Sequence, residues 1–109
     1  MKKVDVKPFD GLKVLELASV LAGPLAGSFL AEGGATVIKV EHPELGDVTR
    51  SWRAEGEPKD DPNTAYFSAA NTYKKTIKID LASEQGRRWL EKELSTCDIL
   101  LQNFKESDL

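Results

Sequence analysis

Polar and aromatic side chains directly follow two short aliphatic segments of this sequence, in positions suited to binding a ligand. His42 follows residues 37–41, and Asn103 with Phe104 follows residues 98–102. Imidazole and amide groups donate and accept hydrogen bonds, and an aromatic ring packs against planar groups. If both segments are strands of a parallel sheet, their carboxyl ends lie at one edge, where such folds bind their ligands. The sequence therefore predicts a ligand-binding site built from strand ends.

Several charged residues near these positions have both a structural and a functional interpretation. Asp47 and Arg50 are expected to form a surface ion pair or to stabilise a turn, and the alternative is a loop braced for substrate. Lys74 and Lys75 are expected to be solvated charges on a strand, and the alternative is a phosphate contact. His42 is either a ligand contact or an ordinary solvated side chain.

The elements that must position these residues alternate between strand and helix. We expect strands over residues 12–17, 35–41, 75–80 and 98–102, with helices beginning at Pro24, near Thr64 and after Ser83. Gly33 and Gly34 are expected to end the first helix, because glycine readily adopts the left-handed backbone conformation found there. Two strands joined by a helix form a right-handed unit with parallel strands. The expected fold is therefore α/β, a Rossmann-like parallel sheet with flanking helices.

Local sequence patterns add expectations for the connecting segments and for single residues. Residues 42–62 predict a long loop, which is usually functional or mobile. Trp89 lies on the apolar face of the last helix and is expected in the core, and Cys97 is expected to be a small buried residue. Ser107 and Asp108 are candidate caps of a further helix.

The composition excludes several classes of function. The 109 residues carry 15 basic and 18 acidic side chains, a net charge of −3, so no basic field attracts a nucleic acid or an anionic membrane. Cys97 is the only cysteine, which rules out a disulfide framework or a cysteine metal cluster within the chain. No apolar run approaches the ~20 residues that cross a bilayer, and no apolar signal core follows the charged start. We expect a cytoplasmic protein without a metal site.

A nicotinamide dinucleotide site is the first hypothesis for a strand–helix–strand unit whose second strand ends in an acid. Glu41 fits the acid position. Such sites need glycines directly after the first strand, so that the backbone can approach the pyrophosphate. Here residues 18–22 come before Gly23, so the glycine loop is missing and the hypothesis is disfavoured.

The order of several short motifs resembles the opening of the class III CoA-transferases, the CaiB/BaiF family. These motifs are Gly23-Pro24, Gly34-Ala35, Val37 to Glu41, Gly46-Asp47 with Arg50, Asn71, Lys74 to Ile77, Asp80-Leu81, and Asp98 to Leu100 with Asn103-Phe104. Each motif alone is weak, but their order and spacing together are specific and extend over nearly the whole chain.

The resemblance implies an enzyme that moves coenzyme A (CoA) from an acyl-CoA to a carboxylic acid through an aspartyl intermediate. It implies that residues 1–109 are the N-terminal part of the Rossmann-like CoA-binding domain, with the rest of that domain and the second domain absent. The family's nucleophilic aspartate lies beyond position 109. No residue of this chain is therefore expected to be catalytic, and the chain alone is expected to be inactive. The complete protein is expected to form an interlocked homodimer.

The resemblance also implies which residues contact CoA, and all of them stand at or just after strand ends. They are Val20, Leu21, His42, Ile79, Asn103 and Phe104. Two alternative functions remain open at this point. One is a racemase of α-methylacyl-CoA, a relative that moves a proton between acid and base residues instead of using the aspartate nucleophile. The other is a stand-alone nucleotide-binding module.

Overall fold

The computed structural model describes residues 6–106, which form one sheet with helices against it. The strands are β1 (Lys13–Glu16), β2 (Thr36–Glu41), β3 (Lys75–Lys78) and β4 (Ile99–Leu101). The helices are α1 (Ala22–Glu32), α2 (Ala65–Ala70) and α3 (Glu84–Leu94), and a 3-10 turn spans Val48–Ser51. Ser107 and Asp108, predicted as helix caps, lie outside the described residues.

The four strands form a parallel sheet in the order β3-β2-β1-β4. In the register of the sheet, Leu15 of β1 lies between Ile38 of β2 and Leu100 of β4. The predicted α/β class, a parallel sheet with flanking helices, is therefore confirmed. The two central strands are largely buried whereas β3 is mostly exposed, as expected when elements cover the middle of a sheet better than its edge.

Helix α1 packs across the central strands and ends where the glycine pair predicts. Gly34 has a φ of 106°, and its N–H donates to the carbonyl oxygen of Ala31 at 3.0 Å. Glycine tolerates this left-handed conformation without steric cost, which explains the stop. Ala31 then belongs to a buried apolar cluster with Val14 and Val37, one residue from each central strand.

Helix α3 lies at the periphery of the fold, and two predictions of burial on or near it are wrong. Trp89 is only half-buried and faces an open hollow beside Pro43. The helix packs closely against the segment after β3 one turn earlier, at Gly86, where an added Cβ would lie 1.9 Å from the carbonyl oxygen of Asp80. Cys97 follows the exposed end of α3 and is also half-buried. No helix within residues 6–106 is long and apolar enough to cross a membrane.

Candidate functional site

A cavity of about 270 Å³ opens at the carboxyl edge of the sheet, where β1, β2 and β3 end. Three of the predicted site residues line it, namely His42, Ile79 and Phe104. Ala18 and Ser19 of the loop after β1 form another part of its wall. The cavity lies where parallel α/β sheets bind their ligands. The structure therefore brings residues far apart in sequence together around one hollow.

The other three predicted residues lie beside this cavity and do not line it. Leu21 is 45% exposed and lines a separate apolar hollow of about 110 Å³ between α1 and α2, with Leu25 and Tyr66. Val20 is half-buried in the loop between the two hollows. The amide of Asn103 is hydrogen-bonded to the backbone of Ser19. Their contacts with CoA remain predictions.

His42 has an exposed side chain with one nitrogen already used. Its Nδ1 accepts hydrogen bonds from the backbone N–H groups of Glu44, at 3.1 Å, and Leu45, at 3.2 Å. A neutral imidazole carries one donor and one acceptor nitrogen, so Nε2 is the N–H donor of the neutral ring. The histidine therefore shapes the turn after β2 and has one donor left for a ligand.

A lysine with a buried ammonium forms part of the cavity wall. The side chain of Lys39 is 1% exposed, and its Nζ lies 2.9 Å from Oδ2 of Asp47 and 3.1 Å from Oε2 of Glu16. It also donates to the carbonyl oxygen of Ala18 at 2.8 Å. Buried charges are stable only when paired and hydrogen-bonded. Lys39 therefore ties the loops after β1 and β2 to the middle of the sheet.

A second buried lysine completes this group of charges. Nζ of Lys74 lies 2.7 Å from Oε1 of Glu16, and both side chains are fully buried. The ammonium also donates to Oδ1 of Asn71 and to the carbonyl oxygen of Pro24, both at 2.8 Å. Burial outweighs the hydrogen bond and charge of Glu16, so the pKa of Lys74 lies below its ordinary value. The charges of the two lysines thus balance those of the carboxylates of Glu16 and Asp47.

The prediction of a solvated Lys74 is therefore wrong, as is its alternative of a phosphate contact through a free ammonium. The side chain points into the fold because Pro24 in α1, Asn71 directly after α2 and Glu16 in β1 each offer it an oxygen atom. Lys75, the next residue, is exposed as predicted. Lys74 lies just before β3, where these oxygen atoms surround its ammonium, whereas Lys75 is the first residue of the exposed edge strand.

Arg50 forms a further ion pair, with Glu41 at the end of β2. Its Nε and Nη2 donate to the two carboxylate oxygens at 2.7 and 2.8 Å, and its guanidinium carbon lies 3.7 Å from the ring centroid of Phe67. Two parallel bonds of this kind are among the strongest in proteins. Burial raises the pKa of Glu41, but the bonds from Arg50 and from the Asp47 amide outweigh it, so the pKa lies below its ordinary value.

The predicted surface pair between Asp47 and Arg50 is therefore replaced by two other pairs. Asp47 is buried, contacts Lys39, and caps the 3-10 turn by accepting from the N–H of Thr49 at 2.9 Å. Its predicted role in stabilising a turn is confirmed. Burial raises its pKa, but the bonds from Thr49 and Lys39 outweigh burial and hold the pKa below its ordinary value.

The sequence holds a signal for these pairs. Glu16 and Lys39 each stand inside a strand whose neighbouring residues are apolar, and a strand covered on both faces leaves no solvent for a charge. Opposite charges on adjacent buried strands therefore indicate a buried pair. Asp47 and Lys74 carry no such signal, because they stand outside the strands.

Comparison with known proteins shows the family of the chain. The profile of CoA-transferase family III matches residues 9–109, so the chain belongs to this family. The chain is 43% identical over 105 residues to the succinate–glutarate CoA-transferase of Agrobacterium fabrum, covering 94% of the chain and 26% of that protein. It is 37% identical over 100 residues to the succinyl-CoA:glutarate CoA-transferase of Homo sapiens, covering 92% of the chain and 22% of that protein.

A solved structure gives the same result for the fold. A CaiB/BaiF family protein from Brucella suis superposes with a TM-score of 0.83 at 44% sequence identity, over 96% of the chain and 28% of that protein. The chain thus spans about a quarter of the length of the relatives that it matches. The relatives described are named as CoA-transferases, and they give the racemase alternative no support.

Proposed function

We propose that this chain supplies part of the CoA site of a family III CoA-transferase, which moves CoA from an acyl-CoA to a carboxylic acid. The observation that carries the proposal is the cavity at the carboxyl edge of the sheet, lined by His42, Ile79 and Phe104. Family resemblance assigns these positions to CoA, and the fold puts them around one hollow. The known activity of the relatives supplies the reaction class.

The cavity offers the chemistry that CoA requires. Phe104 is 42% exposed, and with Ile79 it presents apolar and aromatic surface suited to the adenine ring or the pantetheine arm. The Nε2–H group of His42 is suited to a phosphate oxygen, because Nδ1 is already bonded within the turn. With a net charge of −3, the chain must hold an anionic ligand through such local donors.

The reaction itself is proposed for a protein that contains this chain within the complete family fold. There, CoA would be transferred by covalent catalysis, through an intermediate formed on the carboxylate of an aspartate. We assign no catalytic role to any carboxylate of this chain, and we propose that the chain alone is inactive. We further propose that residues 1–109 belong to a Rossmann-like CoA-binding domain and that the complete protein is a cytoplasmic, interlocked homodimer.

Binding of CoA to the chain tests the site directly. The ¹⁵N-labelled chain is titrated with CoA, and we expect amide shifts to concentrate at Ser19, His42, Ile79 and Phe104, with binding lost in Phe104→Ala. Leu94→Ala is the matched control, since Leu94 is 40% exposed and lies on α3, away from the cavity. A folded chain with no shifts at the cavity would contradict the proposed site.

A chimera tests the proposed reaction separately. The matching segment of the Agrobacterium fabrum relative is replaced by this chain, and transfer of CoA to a carboxylate is measured. We expect the chimera to retain transfer activity and to lose apparent affinity for acyl-CoA when Phe104→Ala is added. A folded chimera that binds acyl-CoA but transfers nothing would contradict the reaction and leave the binding site in place.

A further inference from the structure

The asparagine that follows β4 is bonded to the loop that follows β1. Oδ1 of Asn103 accepts a hydrogen bond from the backbone N–H of Ser19 at 3.1 Å, and its Nδ2 donates to the carbonyl oxygen of Ser19 at 2.8 Å. The side chain therefore pairs with both polar groups of a single residue. Because a side-chain amide has the donor and acceptor of a peptide group, Asn103 can substitute for the backbone of a strand.

This pairing extends the contact between β1 and β4 past the end of the strands. The N–H of Leu17 donates to the carbonyl oxygen of Leu101 at 2.8 Å. Two residues further along each segment, the side chain of Asn103 provides the contacts to Ser19. Neither aspartate nor leucine, which are close in shape, supplies both a donor and an acceptor. The position therefore depends on the chemistry of an amide.

The residue after Ser19 has a strained backbone. Val20 has a φ of 71°, a left-handed conformation that is unfavourable for a β-branched residue because its Cβ crowds the backbone. Such conformations persist only where the surroundings hold them. Here the Nζ of Lys39 fixes the carbonyl oxygen of Ala18 at 2.8 Å, and Asn103 fixes Ser19. The two residues before Val20 are thus both anchored.

Close packing explains why the loop needs such anchors. An added Cβ at Gly23 would lie 2.4 Å from Cβ of Ala18, so the start of α1 folds back tightly against the loop. Ala18 and Ser19 also line the cavity. A change in the loop backbone would therefore change the shape of the cavity wall.

We propose that Asn103 is a positioning residue, which holds the backbone of Ser19 at the cavity wall, keeps the adjacent Val20 in its left-handed conformation, and acts on CoA through this loop. The inference rests on the proposed function, because CoA is the ligand that the wall would contact. Phe104, the next residue, lines the cavity itself. The two residues that follow β4 therefore have separate roles.

The backbone of Val20 gives a test that needs no ligand. A positive φ brings the amide and α protons of one residue close together and produces a strong intraresidue nuclear Overhauser effect. We expect this signal for Val20 in the wild-type chain and its loss in Asn103→Ala. Asn103→Asp, which keeps an acceptor for Ser19 but lacks the donor, is the second variant if Asn103→Ala does not fold. An unchanged signal in both variants would overturn the positioning role.

A double-mutant cycle then distinguishes positioning from direct contact with CoA. We expect Asn103→Ala to weaken CoA binding about tenfold or less, the range for one net hydrogen bond, in calorimetric titrations. In the Val20→Gly background the same change should weaken binding less, because glycine adopts a positive φ without strain. An equal loss in both backgrounds would mean that Asn103 contacts CoA directly, and would overturn the inference.

The two tests separate this inference from the proposed function. If the folded wild-type chain binds no CoA, the proposed site fails and the action of Asn103 on CoA fails with it. The Val20 signal still decides whether Asn103 positions the loop. If CoA binds and the Val20 signal is unchanged by the Asn103 variants, the proposed function stands and the positioning role is overturned.

Discussion

Lys39 and Asp47 form an ion pair of 2.9 Å at the cavity wall, and each side chain is only 1% exposed. The pair joins the middle of β2 to the loop that follows the same strand. Because Asp47 also caps the 3-10 turn through Thr49, the ion pair fixes the position of that turn relative to β2. The charge of a lysine within a buried strand thus sets the position of a loop beside the candidate CoA site.

Lys39→Met should strongly destabilise the fold. It removes the ammonium and leaves the buried carboxylates of Glu16 and Asp47 short of a partner, and breaking a buried pair in this way costs about 3–5 kcal/mol. The free energy of unfolding, measured by urea titration with circular dichroism, should fall by this amount. The double variant Lys39→Met/Asp47→Asn should lose less, because Lys74 still balances Glu16.

Lys75→Met is the matched control for this prediction. Lys75 stands in β3 with an exposed side chain, and exposed substitutions usually change stability by about 0.5 kcal/mol or less. If Lys39→Met cost no more than Lys75→Met, the buried ammonium would not hold the loops as the structure indicates. Equal losses in the single and double variants would show that charge balance is not the cause.

The contrast between Lys74 and Lys75 shows how far the sequence predicts the structure. Lys74 precedes the first residue of β3, so the alternation of side chains along a strand does not decide whether it is covered. The oxygens around Lys74 come from Glu16, Pro24 and Asn71, which are distant from one another in sequence. The strands along the chain and the glycine stop of α1 follow from local patterns, whereas these contacts depend on how separate elements pack.

In the candidate site, too, some features follow from local sequence patterns and others depend on how the elements pack. The positions of His42, Ile79 and Phe104 at strand ends follow from the strand pattern and the family motifs, and the structure brings these residues to one cavity. The bonds of Asn103 to Ser19 could not be foreseen, because they depend on the register of β1 against β4. An amide is suited equally to a ligand and to a backbone, and only the fold decides between them.

Arg50→Lys should destabilise the loop after β2 although it keeps the positive charge. Arg50 donates to both oxygens of Glu41 and, through Nη1, to Oδ1 of Asn63 at 3.0 Å. A lysine cannot reproduce this planar set of donors, and the lost charged hydrogen bonds correspond to about 2 kcal/mol or more. Urea unfolding measures the loss. The control is Arg87→Lys on exposed α3, and a similar loss in both variants would contradict the prediction.

Acid should unfold the protein in part through Glu41 and Asp47. The pKa of each lies below its ordinary value despite burial, because hydrogen bonds from Arg50, Thr49 and Lys39 outweigh burial. A carboxyl group whose pKa is lower in the folded state stabilises the fold above its unfolded pKa, and this contribution is lost as the pH falls through the folded pKa. The free energy of unfolding should therefore decrease below about pH 5.

Glu41→Gln provides the comparison for this acid effect. The variant has no charge to lose at position 41, so its free energy of unfolding should depend less on pH below about pH 5. At neutral pH it should be less stable than the wild type, since Arg50 loses its charged partner. The two curves should converge as the pH falls. Parallel curves would show that Glu41 does not contribute to acid unfolding.

Gly27→Ala should destabilise the protein even though alanine favours helices. An added Cβ at Gly27 would lie 1.9 Å from Oε1 of Glu16 and 3.1 Å from Cε of Lys74, so α1 would have to move away from the buried ion pair. Helix propensity favours alanine by about 1 kcal/mol, whereas overpacking of this kind costs about 1–3 kcal/mol. Since the pair is held by further bonds to Pro24 and Asn71, it cannot shift freely, and the clash should prevail.

The control is Ala26→Gly, at the exposed neighbouring position, which should lose only the helix propensity of alanine, about 1 kcal/mol. A gain in the free energy of unfolding for Gly27→Ala would show that α1 does not approach the ion pair as closely as the structure indicates.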